Sequence, residues 1–191
     1  MSEITLMRDS AESGAAPDLL GGLRAVGIGE GDIVFVQLSP EASALGGADA
    51  NPGQAAHAVL EQLRRAVGAG GTLVVPTYTF SFCRGEPFDP DSTPAVAGPW
   101  QPWVEFAEVF RRQPGTLRSR DPIHSVAAAG PEAAALVHNV APTCFGPGSL
   151  FERLKLLGAK LCLIGLPLEE ATFRHHTEEM AEVPFRYKKL F

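Results

Sequence analysis

The sequence predicts an α/β protein in which a layered sheet is flanked by helices. Short apolar runs rich in β-branched residues alternate along the chain with segments of helical periodicity, and Gly and Pro separate them. The chain has 191 residues, of which 45% are hydrophobic and 20% charged, so it can bury a sizeable core. We expect a flexible arm over residues 1–16 and a single domain over 17–191.

Two predicted strands lie in the first half of the chain, each after a helix. Apolar spacing predicts a helix over 17–28, and the run DIVFVQLS over 32–39 is typical of a buried strand. A longer helix begins after Asn51, which can cap it, and ends at Gly68. The run TLVVPTYTF over 72–80 is the second strand.

The second half begins with an irregular segment over 81–103, rich in Pro, Gly, Asp and Ser. Segments of this length inside a domain are usually functional or disordered. Ser149 and Glu152 form a predicted capping box for a helix that Gly158 ends. The later elements are a helix over 104–113, a strand over 123–130, helices over 131–139 and 149–158, a strand over 159–166 and a helix after Thr172.

Composition excludes several classes of function. Sixteen basic residues against 22 acidic ones give a net charge of -6, which argues against nucleic acid as a partner. Three widely spaced cysteines form neither a disulfide framework nor a CxxC metal pair and fit a reducing compartment. The N-terminus does not resemble a signal peptide, and no apolar run approaches the roughly 18 residues of a membrane span. We expect a cytoplasmic protein without membrane contact.

The stretch TFRHHTEEM near the end of the chain carries two adjacent histidines directly after a predicted strand. Thr172 is a plausible N-cap, which places His175 in the first turn of a helix. That turn lies near the edge where ligands gather in α/β sheets. His175 shares a helix face with Glu178 and Glu179. His176 points elsewhere, and we expect it to be half-buried and structural.

Three interpretations of this stretch remain open: a general-base site, a metal site, or a solvated helix rich in His and Glu. A helix N-terminus disfavours an imidazolium while a carboxylate favours it, so a pKa near neutrality is consistent with a general base. The zinc-protease pattern, two His four apart with Glu beside the first, is absent. Only the distant His124 could join His175 and Glu178 as a metal ligand.

A second polar cluster lies in the segment TLRSRDPIHSVAAAG. Arg118 and Arg120 bracket Ser119, an arrangement that suits an anion such as phosphate, although a solvated basic turn has the same composition. His124 and Ser125 are neighbours on a strand and point to opposite faces, so they are not a nucleophile pair. The chain contains no GxSxG, GxGxxG or GxxxxGK[ST] motif.

Five segments, taken in order, resemble the aminoglycoside 3-N-acetyltransferase family, also called the antibiotic N-acetyltransferase family. They are TLVVPTYTF, PFDPDSTP, VFRRQPGTLRSRDPIHSVAAAGPEA, CFGPGSLFERLKLLGAKLCLIGL and TFRHHTEEMAEVPFRY. The resemblance runs from about Asp32 to the end. It implies an antibiotic N-acetyltransferase-like fold, distinct from the common acetyltransferase fold built around a glycine-rich pyrophosphate loop. Family members continue for several dozen residues past this point, so we expect the family's C-terminal segment to be lacking.

The resemblance implies transfer of an acetyl group from acetyl-coenzyme A to an amine of an aminoglycoside-like or amino-sugar substrate. His175 and Glu178 match the His and Glu of the family's Thr-Ser-x-His-x-x-Glu pattern. His175 is therefore the implied general base and Glu178 its partner, with no metal required. The implied substrate-binding residues are His124, Glu179 and Asp89. The implied cofactor-binding residues are Gln37, Leu38, Ser39, Thr77, Arg118, Ser119 and Ser125. A homodimer is one possible oligomeric state.

The sequence also departs from the family pattern. The first-strand loop reads Gln37, Leu38, Ser39 where the family has His-Ser-Ser, and Asp121 replaces the first His of RSxHPxHS. The alternative to an enzyme is therefore a non-catalytic or degenerate domain of the same family that binds coenzyme A or a partner protein. A metal-dependent hydrolase that uses His124, His175 and Glu178 is the third hypothesis.

Overall fold

The computed structural model describes residues 4–6, 18–47, 49–98 and 101–186. Its strands are β1 (Ile4–Leu6), β2 (Ile33–Leu38), β3 (Thr72–Pro76), β4 (Leu117–Arg118), β5 (Val126–Ala129) and β6 (Lys160–Ile164). Its α-helices are α1 (Leu19–Ala25), α2 (Pro52–Val67), α3 (Val104–Arg111), α4 (Ala133–Val137), α5 (Leu150–Leu156) and α6 (Arg174–Met180). Short 3₁₀ helices cover Pro40–Gly46, Phe82–Arg84 and Leu168–Glu170.

The six strands form one sheet in the order β1-β6-β2-β3-β5-β4. The first four strands of this order are parallel, whereas β5 is antiparallel to both β3 and β4. Strands β2, β3, β4 and β6 therefore end, and β5 begins, on one side of the sheet, which we call the carboxyl edge. The predicted α/β architecture is confirmed, and the reversed direction of β5 is an addition to it.

Two short strands were not predicted from the sequence. Strand β4 has only two residues, too few for a recognisable alternation. Strand β1 pairs in parallel with β6, with Ile4 opposite Cys162. The expectation of a flexible arm over 1–16 is therefore wrong for Ile4–Leu6, and the rest of that range lies outside the described residues.

Helices pack on both faces of the sheet because successive side chains of a strand point to opposite sides. On one face, Val34 and Val36 of β2 belong to a core that includes residues of α1, α2 and α3. On the other face, Phe35 packs with residues of α4 and α5, and its ring meets Phe151 edge-on at 5.7 Å between centroids. The sheet is thus the middle of three layers.

Helices α2 and α5 start where the predicted capping residues stand. In α2, Asn51 and Gln54 form a reciprocal capping box. In α5, Ser149 Oγ accepts a hydrogen bond from the Glu152 backbone N–H, as predicted. The Glu152 carboxylate, however, accepts from the Gly148 N–H at 2.6 Å, one residue earlier than a standard capping box requires.

The described part of the segment 81–103 contains little regular secondary structure, as predicted. Gln101 fastens it to the sheet, because its Oε1 accepts from the Tyr78 N–H at 2.6 Å and its Nε2 donates to the Val96 carbonyl at 2.8 Å. Within the described residues, no helix reaches the length and apolar character that a bilayer span demands.

Candidate active site

Topology places the chemically interesting residues at the carboxyl edge. Gln37 lies at the end of β2, Thr77 directly follows β3, and Ser125 directly precedes β5. The chain leaves β6 through a 3₁₀ helix and enters α6, which carries His175. Residues far apart in sequence therefore meet because parallel strands end on the same side.

The segment that leads into α6 is held by a buried glutamine. Gln37 Oε1 accepts from the Thr172 N–H at 2.9 Å, and Gln37 Nε2 donates to Thr172 Oγ1 at 3.1 Å. Gln37 is 2% exposed and Thr172 is fully buried. The prediction that Thr172 caps α6 is wrong, because its hydroxyl is engaged by Gln37 and Phe173 occupies the N-cap position without a side-chain bond.

His175 lies in the first turn of α6, as predicted, and its side chain is nearly buried at 7% residue exposure. Its Nδ1 lies 3.3 Å from Glu178 Oε2, so the predicted pairing of these two residues across three positions is present. Arg186 lies against both of them: its Nη2 contacts His175 Nδ1, and its Nε donates to Glu178 Oε2 at 2.5 Å.

The surroundings keep the His175 imidazole neutral. Burial is the largest effect and lowers its pKa, the hydrogen bond with Glu178 raises it, and the positive charges of Arg186 and Arg174 lower it further. The net result is a pKa below the usual value for histidine. A neutral imidazole is the form that accepts a proton.

Aromatic rings connect His175 with the second predicted histidine. The ring of Phe145 lies 5.2 Å from that of His175 and 4.7 Å from that of His124, and Tyr78 packs edge-on against His124 at 5.1 Å. Burial lowers the pKa of His124 to about 4, against the opposing attraction of the Asp121 carboxylate. His124 is therefore neutral near pH 7.

His176 has the structural role predicted for it but is more buried than expected. It is 1% exposed, and its Nδ1 lies 2.6 Å from the Phe145 carbonyl oxygen. Through this bond α6 holds Phe145 in place, and Phe145 in turn touches the ring of His175. The second histidine of the pair thus supports the first indirectly.

Arg118, predicted to bind the cofactor, is occupied inside the protein. Its guanidinium donates to Thr77 Oγ1 at 3.0 Å, to the Thr77 carbonyl at 2.5 Å, and to the carbonyls of Pro90 and Thr93 at 3.1 and 2.6 Å. It also lies 5.3 Å from the centre of the Phe88 ring. In this conformation Arg118 fastens the irregular segment to the sheet.

The other residues predicted to contact coenzyme A are also internal. Ser125 Oγ donates to the Thr77 carbonyl at 2.5 Å, and Ser119 Oγ accepts from the Val126 N–H at 3.0 Å. Contact of these side chains with a cofactor stays a prediction. Their hydrogen bonds favour a role in holding the neighbouring backbone in place. The residues of this set that are 5% exposed or less are Gln37, Leu38, Ser39, Thr77, Ser119 and Ser125.

The two acidic residues predicted to bind substrate lie in different settings. The Asp89 carboxylate accepts from the backbone N–H groups of Asp91 and Ser92, at 2.7 and 3.3 Å, and so closes a turn of the irregular segment. Glu179 is half-buried, and its Oε1 approaches Gly146 closely enough that a Cβ there would lie 2.8 Å away. A substrate role for either residue stays a prediction.

An open surface depression of about 510 Å³ adjoins the His175 and Glu178 pair. Its lining residues are Arg174, Glu178, Phe185 and Arg186. The depression brings solvent to the Glu178 carboxylate, and Arg118 does not line it. Glu178 lines the depression, whereas His175 does not.

The metal site proposed from His124, His175 and Glu178 does not form. Within the described residues, the group of three potential ligands that come together is Asp121, His124 and Cys144, whose ligand atoms lie within 4.8 Å of one another. His124 belongs to this group and not to a group with His175.

Sequence reasoning missed three contributors to the site: Arg186, Phe145 and Tyr78. Arg186 stands in the segment VPFRY, which supported the family resemblance without being assigned a role. Tyr78 is fully buried, and burial, the dominant influence, raises its pKa above the usual value, so its hydroxyl stays protonated beside Thr172. For Tyr78, the signal available in the sequence was an aromatic residue near the end of a predicted strand.

Comparison with known proteins shows the family of the chain. The family described as aminoglycoside 3-N-acetyltransferase matches residues 41–190 of the chain. The chain belongs to this family. Two relatives are aminoglycoside N(3)-acetyltransferase VII of Streptomyces paromomycinus and VIII of Streptomyces fradiae, which are 32% and 33% identical to the chain. The alignments cover 96% and 87% of this chain and 67% and 61% of the relatives.

Solved acetyltransferase structures share the fold. The complex of AAC-IIIb with CoASH matches with a TM-score of 0.70 at 26% identity, covering 87% of this chain and 65% of that one. AAC-VIa bound to sisomicin matches with a TM-score of 0.66 at 28% identity, covering 84% and 62%. The chain therefore spans less than two thirds of the length of these two enzymes.

Proposed function

We propose that this chain transfers an acetyl group from acetyl-coenzyme A to an amine of an aminoglycoside-like or amino-sugar substrate, with His175 as the general base. The observation that carries the proposal is the His175 and Glu178 pair at the carboxyl edge of a member of the aminoglycoside 3-N-acetyltransferase family. The similar AAC-IIIb and AAC-VIa were solved with CoASH and with sisomicin, respectively. These ligands support the choice of cofactor and substrate class.

The chemistry requires a proton acceptor, because a protonated amine cannot attack a thioester. In the proposed step, Nδ1–H of His175 donates to Glu178, and Nε2 takes a proton from the substrate ammonium, directly or through water. The amine nitrogen then forms a bond with the acetyl carbonyl carbon, and the carbon–sulfur bond breaks. The bonded nitrogen, which still carries two hydrogens, gives one of them to the leaving thiolate, directly or through water. The products are an N-acetyl amine and coenzyme A, and His175 releases its proton to solvent.

Arg186 bears directly on the state of this pair. It donates to Glu178 Oε2, and its Nη2 contacts His175 Nδ1, the atom that carries a hydrogen in the proposed step. A guanidinium can only donate, so Nδ1 cannot both face Arg186 and carry that hydrogen. We therefore expect Arg186 to move away from His175 Nδ1 when the amine binds.

The test is the release of free thiol from acetyl-coenzyme A in the presence of a panel of aminoglycosides. His175→Ala should lower kcat by roughly 10²–10⁴-fold, the range that general-base catalysis contributes. His57→Ala, which changes an exposed histidine on α2, is the matched control and should turn over like the parent. Full turnover by His175→Ala would show that another group is the base.

Glu178→Gln examines the partner of the base. The amide keeps the size of the side chain but removes the charge that stabilises the imidazolium, so kcat should fall while the melting temperature stays close to that of the parent. Unchanged kcat in Glu178→Gln would contradict the orienting role of Glu178 and leave it, at most, a contact of Arg186.

The second candidate is a non-catalytic domain that binds coenzyme A or a partner protein. The burial of the side chains predicted to contact the cofactor, Gln37, Thr77 and Ser125 among them, counts against that contact and so favours the partner-binding form of this candidate. Saturating acetyl-coenzyme A at 100 times its Kd should stabilise a binding-competent fold by about 2.7 kcal/mol. Stabilisation without thiol release would favour this second candidate, whereas thiol release would exclude it. For either function the expected location is the cytoplasm.

A further inference from the structure

Three potential metal ligands of different chemistry meet beside the proposed acetyl-transfer site. Asp121 and His124 lie in the loop before β5, and Cys144 lies in the loop between α4 and α5. One oxygen, one nitrogen and one sulfur atom from these residues lie within 4.8 Å of one another, and all three residues are partly buried. None of the three has a part in the proposed proton transfer.

The ligand set points to a particular class of cation. Zinc is bound by thiolate sulfur at about 2.3 Å and by imidazole nitrogen or carboxylate oxygen at about 2.0–2.2 Å, in tetrahedral geometry. Tetrahedral ligands at these lengths stand roughly 3.5 Å apart, so side-chain shifts of about 1 Å bring the group into coordination. Calcium and magnesium prefer oxygen ligands alone, and a thiolate in the set argues against both.

The loop around Asp121 is already organised for such a role. Asp121 Oδ1 accepts from the backbone N–H groups of Ile123 and His124, at 2.8 and 2.9 Å, which fixes the orientation of the carboxylate. Its second oxygen can then serve as a ligand. Hydrogen bonds of this kind to a ligating carboxylate are what metal sites use to orient their ligands.

The His124 ring is held by packing from three sides. The ring centroids of Tyr78, Phe80 and Phe145 lie 5.1, 5.3 and 4.7 Å away, respectively. The Cys144 sulfur lies within 4.8 Å of an Asp121 carboxylate oxygen and of a His124 ring nitrogen. A cation that replaced the thiol proton would sit between two groups that can each carry a negative charge.

We propose that Asp121, His124 and Cys144 form a binding site for one Zn²⁺ ion, with solvent as the fourth ligand. Binding releases the Cys144 thiol proton to solvent and forms the sulfur–zinc bond, and the imidazole and the carboxylate supply the other two protein ligands. The ion joins the loop before β5 to the loop that carries Phe145. It would thereby fix the aromatic ring that lies against His175.

The test uses Co²⁺ as a spectroscopic substitute for zinc, added to the tag-free full chain after chelator treatment and dialysis. A thiolate–cobalt charge-transfer band in the near ultraviolet should grow to one equivalent per chain and disappear when Zn²⁺ is added. The band should be absent in Cys144→Ser and retained in Cys83→Ser and Cys162→Ser. A band that survives in Cys144→Ser, or no band in the parent, would overturn the proposal.

Two further measurements guard against a misfolded variant. In the unaltered chain, Zn²⁺ should protect Cys144 from alkylation, followed by mass spectrometry, while the exposed Cys83 continues to react. Asp121→Asn retains an oxygen that can accept the two backbone N–H bonds but loses the charge, and should weaken zinc binding by at least about 10-fold. Equal alkylation of Cys144 with and without Zn²⁺ would refute the site. None of these readouts depends on acetyl transfer, so the outcome is separate from that of the proposed function.

Discussion

Replacement of Gln37 with leucine should destabilise the protein and loosen the segment that carries the proposed base. Gln37 makes two hydrogen bonds to Thr172, at 2.9 and 3.1 Å, and a longer one of 3.4 Å to the Glu170 carbonyl. The Thr172 carbonyl in turn accepts from the His175 N–H at 3.0 Å. Gln37 is thus connected through Thr172 to the first turn of α6 by hydrogen bonds.

The expected magnitude follows from what the substitution leaves behind. A buried hydrogen bond contributes about 1 kcal/mol net, and a buried donor without a partner costs about 1–3 kcal/mol. Leucine at position 37 removes all three bonds, of which the one at 3.4 Å is weak, and leaves the N–H of the fully buried Thr172 without its acceptor. We expect a loss of roughly 2–4 kcal/mol in unfolding free energy, or about 4–16 °C in melting temperature.

Urea denaturation of Gln37→Leu measures the loss, with Thr172→Val and the double variant completing a thermodynamic cycle. Gln62→Leu is the matched control. Gln62 is a half-buried glutamine with one bond of 3.3 Å to the Leu45 carbonyl, so its loss should stay near 1 kcal/mol or below. If Gln37→Leu is no less stable than Gln62→Leu, or if the cycle shows no coupling, the hydrogen bonds do not hold this segment.

Two further predictions concern charge and space near the same edge. Arg186→Ala removes a cation that lowers the pKa of His175. Because the base must be neutral to act, the acid limb of the pH profile of kcat/KM should move to higher pH, and an acid limb that stays in place or moves to lower pH contradicts this. Gly165→Ala should lose about 2–4 kcal/mol in thermal or urea unfolding, because Gly165 has φ +72° and a Cβ there would lie 2.3 Å from Ser39 Oγ. Gly158→Ala, at φ +68° with open space around it, should lose only about 1–2 kcal/mol, and equal losses would show that contact with Ser39 is unimportant.

Periodic elements with clear ends were predictable because their signals are local. Helix α2 has sixteen residues, an apolar face and a capping box, and the structure places its ends within one residue of Asn51 and Gly68. Strands β1 and β4 contain three and two residues, respectively, and such short segments show no alternation. The direction of β5 depends on its pairing with β3, which no local pattern reveals.

In the candidate site, too, the local contacts were predictable from the sequence and the contacts that depend on the tertiary fold were not. The pairing of His175 with Glu178 was predicted because residues three apart share a helix face. The approach of Arg186 was not, because it depends on how the chain turns after α6. Arg118 was interpreted as an anion ligand because of its charge. Backbone carbonyls also need donors, however, and Arg118 donates to the Pro90 and Thr93 carbonyls of the irregular segment and to the hydroxyl and carbonyl oxygens of Thr77.

The two departures from the family pattern have positions in the structure that bear on the choice between an enzyme and a degenerate domain. Gln37 stands where the resemblance places a His, and its amide both donates to Thr172 Oγ1 and accepts from the Thr172 N–H. A neutral imidazole also has one donor and one acceptor, but its two nitrogens point in diverging directions and could not make both bonds to one residue. Asp121, where the family also has His, orients the loop of His124 through two backbone bonds. Both replacements make hydrogen bonds that hold segments at the carboxyl edge, as buried polar groups do in any folded domain. Thiol release from acetyl-coenzyme A is therefore the measurement that decides between a site with altered contacts and a non-catalytic domain.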